Sequence, residues 1–234
     1  MTNYPGFTDG NRAAFYTSHR EYAGTLFKKK HRRQFDHDFR DLTCADPAMS
    51  VLEIGCGTGI FLRYLEACGY ARAAGIDMDD KLVGVLSDLT RSEIHFGDAR
   101  EVLDEKFAGQ CFDRIVMFDV AEHIDLPDLI ELLKALREYL TDDGKLLLRV
   151  PNIESPWGLK MFYGTFDHVT PLGPGRLREL ARLTGWECVS VSPQEPVPFL
   201  RRWRERVLNR LLASMLSYHP EAWTANVLAV YVKD

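Results

Sequence analysis

The sequence predicts an α/β protein built on a parallel β-sheet with helices on both faces. Three observations predict it. Short apolar stretches alternate with helix-period stretches from residue 50 onwards. The first apolar stretch breaks into a glycine run before a helix. The fourth and fifth apolar stretches are near-continuous, as in strands buried on both sides. In order, VLEI (51–54) is the first strand, followed by the helix FLRYLEAC. ARAAGID is the second strand, followed by the helix LVGVLSDL. SEIHFGD is the third, followed by a short helix near Glu101. FDRIVMFDV is the fourth, with a helix from about Pro127 to Leu140, and GKLLLRVP is the fifth. Residues 151–173 read as a long loop rich in Pro, Gly and aromatics. RLRELARLTG is a helix closed by Gly185, and WECVSVS is the sixth strand. Residues 199–216 form an Arg-rich helix, and NVLAVYVK ends the chain as a strand. Before all of these, residues 12–43 are helix-like and polar, with aromatics at Phe15, Tyr16, Tyr22, Phe27, Phe35 and Phe39.

Composition narrows the function classes. The 234 residues are 46% hydrophobic and 27% charged, ordinary for a globular protein with a full core. The net charge of −5 argues against an obligate nucleic-acid binder, which shows a basic domain. The five cysteines (Cys44, Cys56, Cys68, Cys111, Cys188) make no C-x-x-C pair and read as reduced thiols of a cytoplasmic protein. The N-terminus has no basic-then-apolar pattern of a signal peptide, and no apolar run is long enough for a membrane span.

The chemistry is expected at the carboxyl ends of the strands, where open α/β sheets bind ligands. The first strand carries Glu53 and runs into Gly55-Cys56-Gly57-Thr58-Gly59. Glycines permit positive φ, bring backbone amides close to a ligand, and lead into the partial positive charge of a helix N-terminus. A dinucleotide fingerprint needs a glycine where Ile60 stands, so that reading fails. The second strand ends at Gly75-Ile76-Asp77, where a carboxylate can accept from both hydroxyls of a ribose. The third ends at Gly97-Asp98-Ala99, where an acid can accept from an adenine amino group. The fourth ends at Phe118-Asp119-Val120. Asp77 and Asp98 each also read as N-caps of the helices that follow.

LEIGCGTG, GIDMD, GDA and FDRIVMFDVAEHI, in this order and spacing, resemble class I S-adenosylmethionine (SAM) dependent methyltransferases over about residues 50–190. The resemblance implies a Rossmann-like sheet of seven strands, the last antiparallel and matched by WTANVLAVYVK. It implies a helical lid over 1–45 on a SAM-binding domain over 46–234. The implied cofactor residues are Glu53, Gly55, Cys56, Gly57, Gly59, Asp77, Met78, Asp98, Ala99, Asp119 and Val120. Of these, Gly55 and Gly57 would contact the methionine part, Asp77 the ribose, Met78 the adenine face, and Asp98 with Ala99 the adenine edge. Val120 would present a backbone group to the methionine amine.

Methyl transfer from a sulfonium is an in-line displacement governed by positioning, and a hydroxyl acceptor calls for a base. Two segments offer one: Asp119-Val120-Ala121-Glu122-His123, and Phe166-Asp167-His168 in the long loop. The catalytic candidates are His168 first, then His123 and Glu122. The D-x-x-E-H segment with a distant D-H resembles the metal site of RNA-terminal ribose methyltransferases and the E-H segment of ubiquinone-pathway O-methyltransferases. That resemblance implies a divalent ion at Asp119, Glu122, His123 and His168. Asp119 departs from it by replacing Glu, so a metal-free base is the expected arrangement. His168 also reads as a loop anchor.

The place of the acid-Pro-Pro-aromatic motif of amino-methylating DNA enzymes is taken here by Asp119-Val120-Ala121-Glu122, and no Pro-Cys pair exists. Both speak against nucleic-acid base methylation. KKKHRR (28–33) reads either as a solvated helix face or as capture of an anionic substrate. The 199–216 helix reads either as packing on the sheet or as meeting a membrane or lipid-linked substrate. Residues 151–180 resemble methyltransferases of polysaccharide and antibiotic biosynthesis, which implies a sugar-like or other polar acceptor methylated on oxygen. Trp157, Tyr163 and Phe166 are candidate walls for it. The alternatives are a quinone-pathway O- or C-methyltransferase and a SAM-binding partner protein without turnover.

Overall fold

A computed structural model of the chain describes residues 26–195 and 198–234. Most of the expected lid, with Phe15, Tyr16 and Tyr22, lies outside the described residues. The described chain runs through α1 (Lys29–Phe35), β1 (Ser50–Ile54), α2 (Ile60–Cys68), β2 (Arg72–Asp77), β3 (Ser92–Phe96), α3 (Ala99–Lys106) and β4 (Phe112–Phe118). It continues through α4 (Leu126–Leu136), β5 (Leu140–Pro151), α5 (Pro156–Phe162), α6 (Pro174–Thr184), β6 (Trp186–Pro193), α7 (Phe199–Met215) and β7 (Asn226–Lys233). The seven strands form one sheet in the order β3-β2-β1-β4-β5-β7-β6. β1 to β5 are parallel, and β7 runs antiparallel between β5 and β6, as the Rossmann-like reading expects.

Side-chain alternation divides the strands between two cores, one on each face. Leu52, Ile54, Ile115, Met117, Leu146 and Leu148 pack on one side. Val51, Val116, Phe118, Leu147, Leu228 and Val230 pack on the other. Asp113 pins β1 beside β4 by accepting from Ser50 N at 2.8 Å and Ser50 Oγ at 2.7 Å. The strand order grows outward in opposite directions from the β1–β4 boundary. The connections after these two strands therefore part and leave a crevice at their carboxyl ends. Among the described residues, no helix is long and apolar enough to cross a membrane.

Two elements differ from the sequence expectation. The helix expected over LVGVLSDL is a 3-10 turn, Asp80–Gly84, followed by irregular chain. Arg63 explains part of this: its Nη2 takes the Val85 carbonyl at 3.0 Å, away from a continuing helical ladder. Leu82, Leu86 and Leu89 still reach the core. The 151–173 loop contains α5, capped by Ser155 Oγ, which accepts from Trp157 N.

Gly59 caps α2 at φ +71, and a Cβ there would lie 2.6 Å from Leu86 Cδ2 and 2.7 Å from Leu89 Cδ1. Gly57, at φ +50, has open space where a Cβ would stand. Gly59→Ala is expected to lose about 2–4 kcal/mol of unfolding free energy, from backbone strain and overpacking together. Gly57→Ala is expected to lose about 1–2 kcal/mol, from backbone conformation alone. Equilibrium denaturation of both variants measures the difference.

Candidate active site

A cavity of about 930 Å3 opens at the carboxyl ends of β1 to β4. Each strand delivers a group to its wall: Glu53 and Gly55 from β1, Asp77 and Met78 from β2, Asp98 and Ala99 from β3, Asp119 and Val120 from β4. Cys56 and Gly57 line it as well. The glycine loop is folded by its own backbone and by β2. Gly55 N donates to Ile76 O at 2.7 Å, Cys56 N to the same oxygen at 3.1 Å, and Gly57 N to Asp77 Oδ2 at 2.7 Å. Gly55 stands at φ +72, and a Cβ there would meet Val120 Cγ2 at 2.3 Å, so only glycine fits. Gly59 faces Leu86 and Leu89 and serves the turn and its packing. The Cys56 side chain is buried among core residues, and burial pushes its thiol pKa up.

Asp77 uses Oδ1 to accept from Asp79 N at 3.0 Å, so it shapes the chain after β2 as well as holding the glycine loop. Asp98 caps α3, accepting from Arg100 N at 2.9 Å and Glu101 N at 3.4 Å, while it also lines the cavity. Asp98 is thus an N-cap and a cavity-wall residue at once. Met78 is 78% exposed, an uncovered apolar side chain at the rim. Glu53 is buried, and its Oε2 has no hydrogen-bond partner among the described residues. Burial raises its carboxyl well above the usual carboxylate range, with the Arg149 charge opposing and the Asp77 charge adding.

Arg149 is the site residue that the motif reading missed. It lines the cavity from the end of β5, 4.6 Å over the Phe118 ring. Its Nε donates to Asp119 Oδ1 at 3.0 Å and its Nη2 to Oδ2. The paired Asp119 sits at φ +57, a conformation that costs a non-glycine residue about 1–3 kcal/mol. A single arginine at the end of the buried run GKLLLRVP was the available signal.

A second group of side chains adjoins the cavity. Val169 N and Thr170 N both donate to Glu122 O, at 2.8 and 3.0 Å, and Thr170 Oγ1 donates to Ile124 O at 2.6 Å. These bonds bring the long loop onto the turn Ala121–His123. His123 and His168 then stand with ring centroids 4.6 Å apart. His123 Nδ1 lies 3.2 Å from Asp167 O and 3.3 Å from Asp167 Oδ2, and His168 Nδ1 lies 3.0 Å from Phe162 O. His123 and Asp167 line the cavity, whereas His168 and Glu122 adjoin them away from its wall. Glu122 is 1% exposed, and neither carboxylate oxygen has a hydrogen-bond partner among the described residues. Burial, with the charge of Asp119 adding, pushes its pKa up to about 8. Ligand atoms of Glu122, His123 and His168 lie within 4.8 Å of one another. Asp119, the fourth residue considered for a metal, is turned to Arg149 instead.

The cavity residues fit SAM. The volume suits a ligand of that size. The unpartnered Glu53 oxygen suits an ammonium, and the space over Gly57 admits a close ligand backbone approach. Asp77 keeps lone pairs beyond those its two amide donors occupy.

The sequence pattern of a protein family described as "Methyltransferase domain" matches residues 19–191. The ubiquinone biosynthesis O-methyltransferase of Aromatoleum aromaticum is 26% identical over 174 residues, covering 66% of this chain and 70% of that protein. The sphingolipid C9-methyltransferase of Candida albicans is 28% identical over 162 residues, 61% of this chain and 31% of that protein. Of solved structures, a SAM-dependent methyltransferase from Archaeoglobus fulgidus superposes with a TM-score of 0.67 at 20% identity, covering 86% of this chain and 94% of that one. The CcbJ methyltransferase of Streptomyces caelestis gives 0.61 at 14% identity, covering 87% and 90%. With four strand-end groups gathered on one cavity and the family pattern spanning most of the sequence, this chain belongs to the methyltransferase domain family as a class I, SAM-dependent enzyme.

Proposed function

We propose that this enzyme methylates a hydroxyl oxygen of a small polar molecule in the cytoplasm, a sugar-like or natural-product acceptor. The observation that carries the reading is the pair of histidines 4.6 Å apart beside the cofactor cavity, over a buried carboxyl. Oxygen acceptors need such a base, and relatives named ubiquinone biosynthesis O-methyltransferases support oxygen as the methylated atom. On the wall, His31 and Lys81 would meet an anionic acceptor, whereas Arg100 already faces Asp98 and Asp128.

Bound SAM supplies an electrophilic methyl group on a sulfonium. Glu53, Asp77 and Asp98 hold the amine, ribose and adenine, and the glycine loop follows the methionine part. Asp167 holds the Nδ1 side of His123, so Nε2 takes the acceptor proton. His168, the first choice on sequence, acts from beside it, with Nδ1 directed to Phe162 O. Glu122, whose pKa burial pushes up to about 8, is uncharged near neutral pH and adds no negative charge beside the two imidazoles. The loop over 151–173 keeps water from the reacting atoms.

A metal-bound variant of this reading rests on the approach of Glu122, His123 and His168. A chelator separates the two, because it stops turnover only if an ion takes part. Quinone-type methylation and cofactor binding without turnover are separated by screening sugars, nucleotide sugars, phenols and quinone precursors for release of demethylated cofactor. Turnover only on apolar quinone precursors supports the first rival, and tight SAM binding without any turnover supports the second.

Two outcomes are expected. His123→Ala and His168→Ala each reduce kcat by roughly 10²–10⁴-fold while SAM affinity by calorimetry stays within a few-fold. Wild-type turnover in both variants would end the base assignment. The second outcome concerns stability. A carboxyl whose folded pKa is raised holds its proton more tightly when folded, so its contribution is full below about pH 4.5 and is lost as pH rises towards about 8. The Tm difference between wild type and Glu122→Gln should therefore shift in the variant's favour by several degrees from pH 5 to pH 8, read by scanning calorimetry.

A further inference from the structure

We propose that α7, with the basic segment of α1 tied to its base, docks this enzyme on the surface of an anionic lipid bilayer. None of the described side chains of α7 is buried. Leu200, Trp203, Val207, Leu208, Leu211 and Met215 are each between 47% and 73% exposed. Their spacing places them along one broad stripe of the helix. A 17-residue helix has marginal stability in water on its own, and its apolar face is where packing ordinarily stabilises it. The sheet does not cover that face.

Charge identifies the occupant. α7 carries Arg201, Arg202, Arg204, Arg206 and Arg210 against one acid, Glu205, on a chain whose net charge is −5. Arg201 and Arg202 stand in a first turn that holds no acid, after Pro198, which gives no side-chain cap. Cations there oppose the helix dipole, and a layer of anionic headgroups offsets both. Glu195 fastens the base of α7 through Arg206 at 2.7 Å and Arg202 at 3.7 Å. Gln34 Nε2 donates to Glu195 O at 3.3 Å, and Gln194 Nε2 donates to Asp38 Oδ2 at 2.6 Å. α1, with Lys29, Lys30, Arg32 and Arg33, is thereby joined to the root of α7 and adds positive charge there. A basic helix with an exposed tryptophan and aliphatic stripe suits the headgroup–acyl boundary, with arginines at the phosphates. Two copies meeting stripe to stripe would instead bring five arginines against five. The docked enzyme keeps the cavity wall formed by His31, Gln34 and Phe35 close to the lipid surface.

The test is flotation of the 234-residue chain with vesicles of phosphatidylcholine, and of phosphatidylcholine with 30% phosphatidylglycerol. The chain is expected to float with the anionic vesicles at least tenfold more than with the neutral ones, and to be released by 0.5 M salt. Arg204→Glu with Arg210→Glu should weaken binding by more than tenfold, at about fivefold per basic residue removed. Leu211→Glu with Met215→Glu should abolish it, and SAM affinity, unchanged in both variants, shows that they fold. Absence of binding to anionic vesicles, or binding that the Leu211 and Met215 changes leave intact, overturns the proposal. So does a solution dimer that those changes split, since it puts a second copy on the stripe.

Discussion

The carbonyl of Glu122 accepts from two successive amides, Val169 N and Thr170 N, and the arrangement of the histidine pair beside the cavity depends on that junction. Each bond is worth only about 0.5–1.5 kcal/mol net. Their effect is positional. They fasten a loop of irregular sequence onto a three-residue turn whose place is set by β4, a strand buried in the middle of the sheet. The rigid element supplies His123 and Glu122, and the loop supplies Asp167 and His168. Without the junction the two histidines belong to segments 45 residues apart in the chain. With it they are edge to face beside the cofactor cavity.

Electrostatics at the other wall follows a related logic. Glu53, Asp77 and Asp119 bring three carboxylates near one cavity, and Arg149 is the cation among them. It fixes Asp119 in a left-handed conformation and tempers the burial of Glu53 without pairing with it. Glu53 is thus a desolvated acid in want of a donor. Such a group is costly to bury unless a donor or a cation meets it.

The parallel sheet and the glycine loop were legible in the sequence because both are local patterns. Strand alternation sorts side chains to two faces with a period of two, and Gly55 needs a positive φ wherever the loop turns. Asp77 and Asp98 were legible for the same reason, as strand-end acids at fixed intervals. Arg149 was not, because one arginine in an apolar run gains meaning only when β5 is laid beside β4. The chain after β2 keeps a helical spacing of leucines but not a helix, since Arg63, from α2, diverts the Val85 carbonyl. The placement of the histidines was equally hidden: the fold sets His123 on the cavity wall and His168 beside it, away from the wall. The N-terminal aromatics lie outside the described residues.

The most direct test of the central claim is a crystal structure with S-adenosylhomocysteine, the demethylated cofactor, bound. The ligand's amine should lie within hydrogen-bond distance of Glu53, its ribose hydroxyls on Asp77, and its adenine beside Asp98 and Ala99. Its sulfur should face the part of the cavity bounded by His123 and Asp167. A cofactor seated with its sulfur turned away from His123, or bound outside the β1–β4 crevice, would contradict the assignment of both the site and the base.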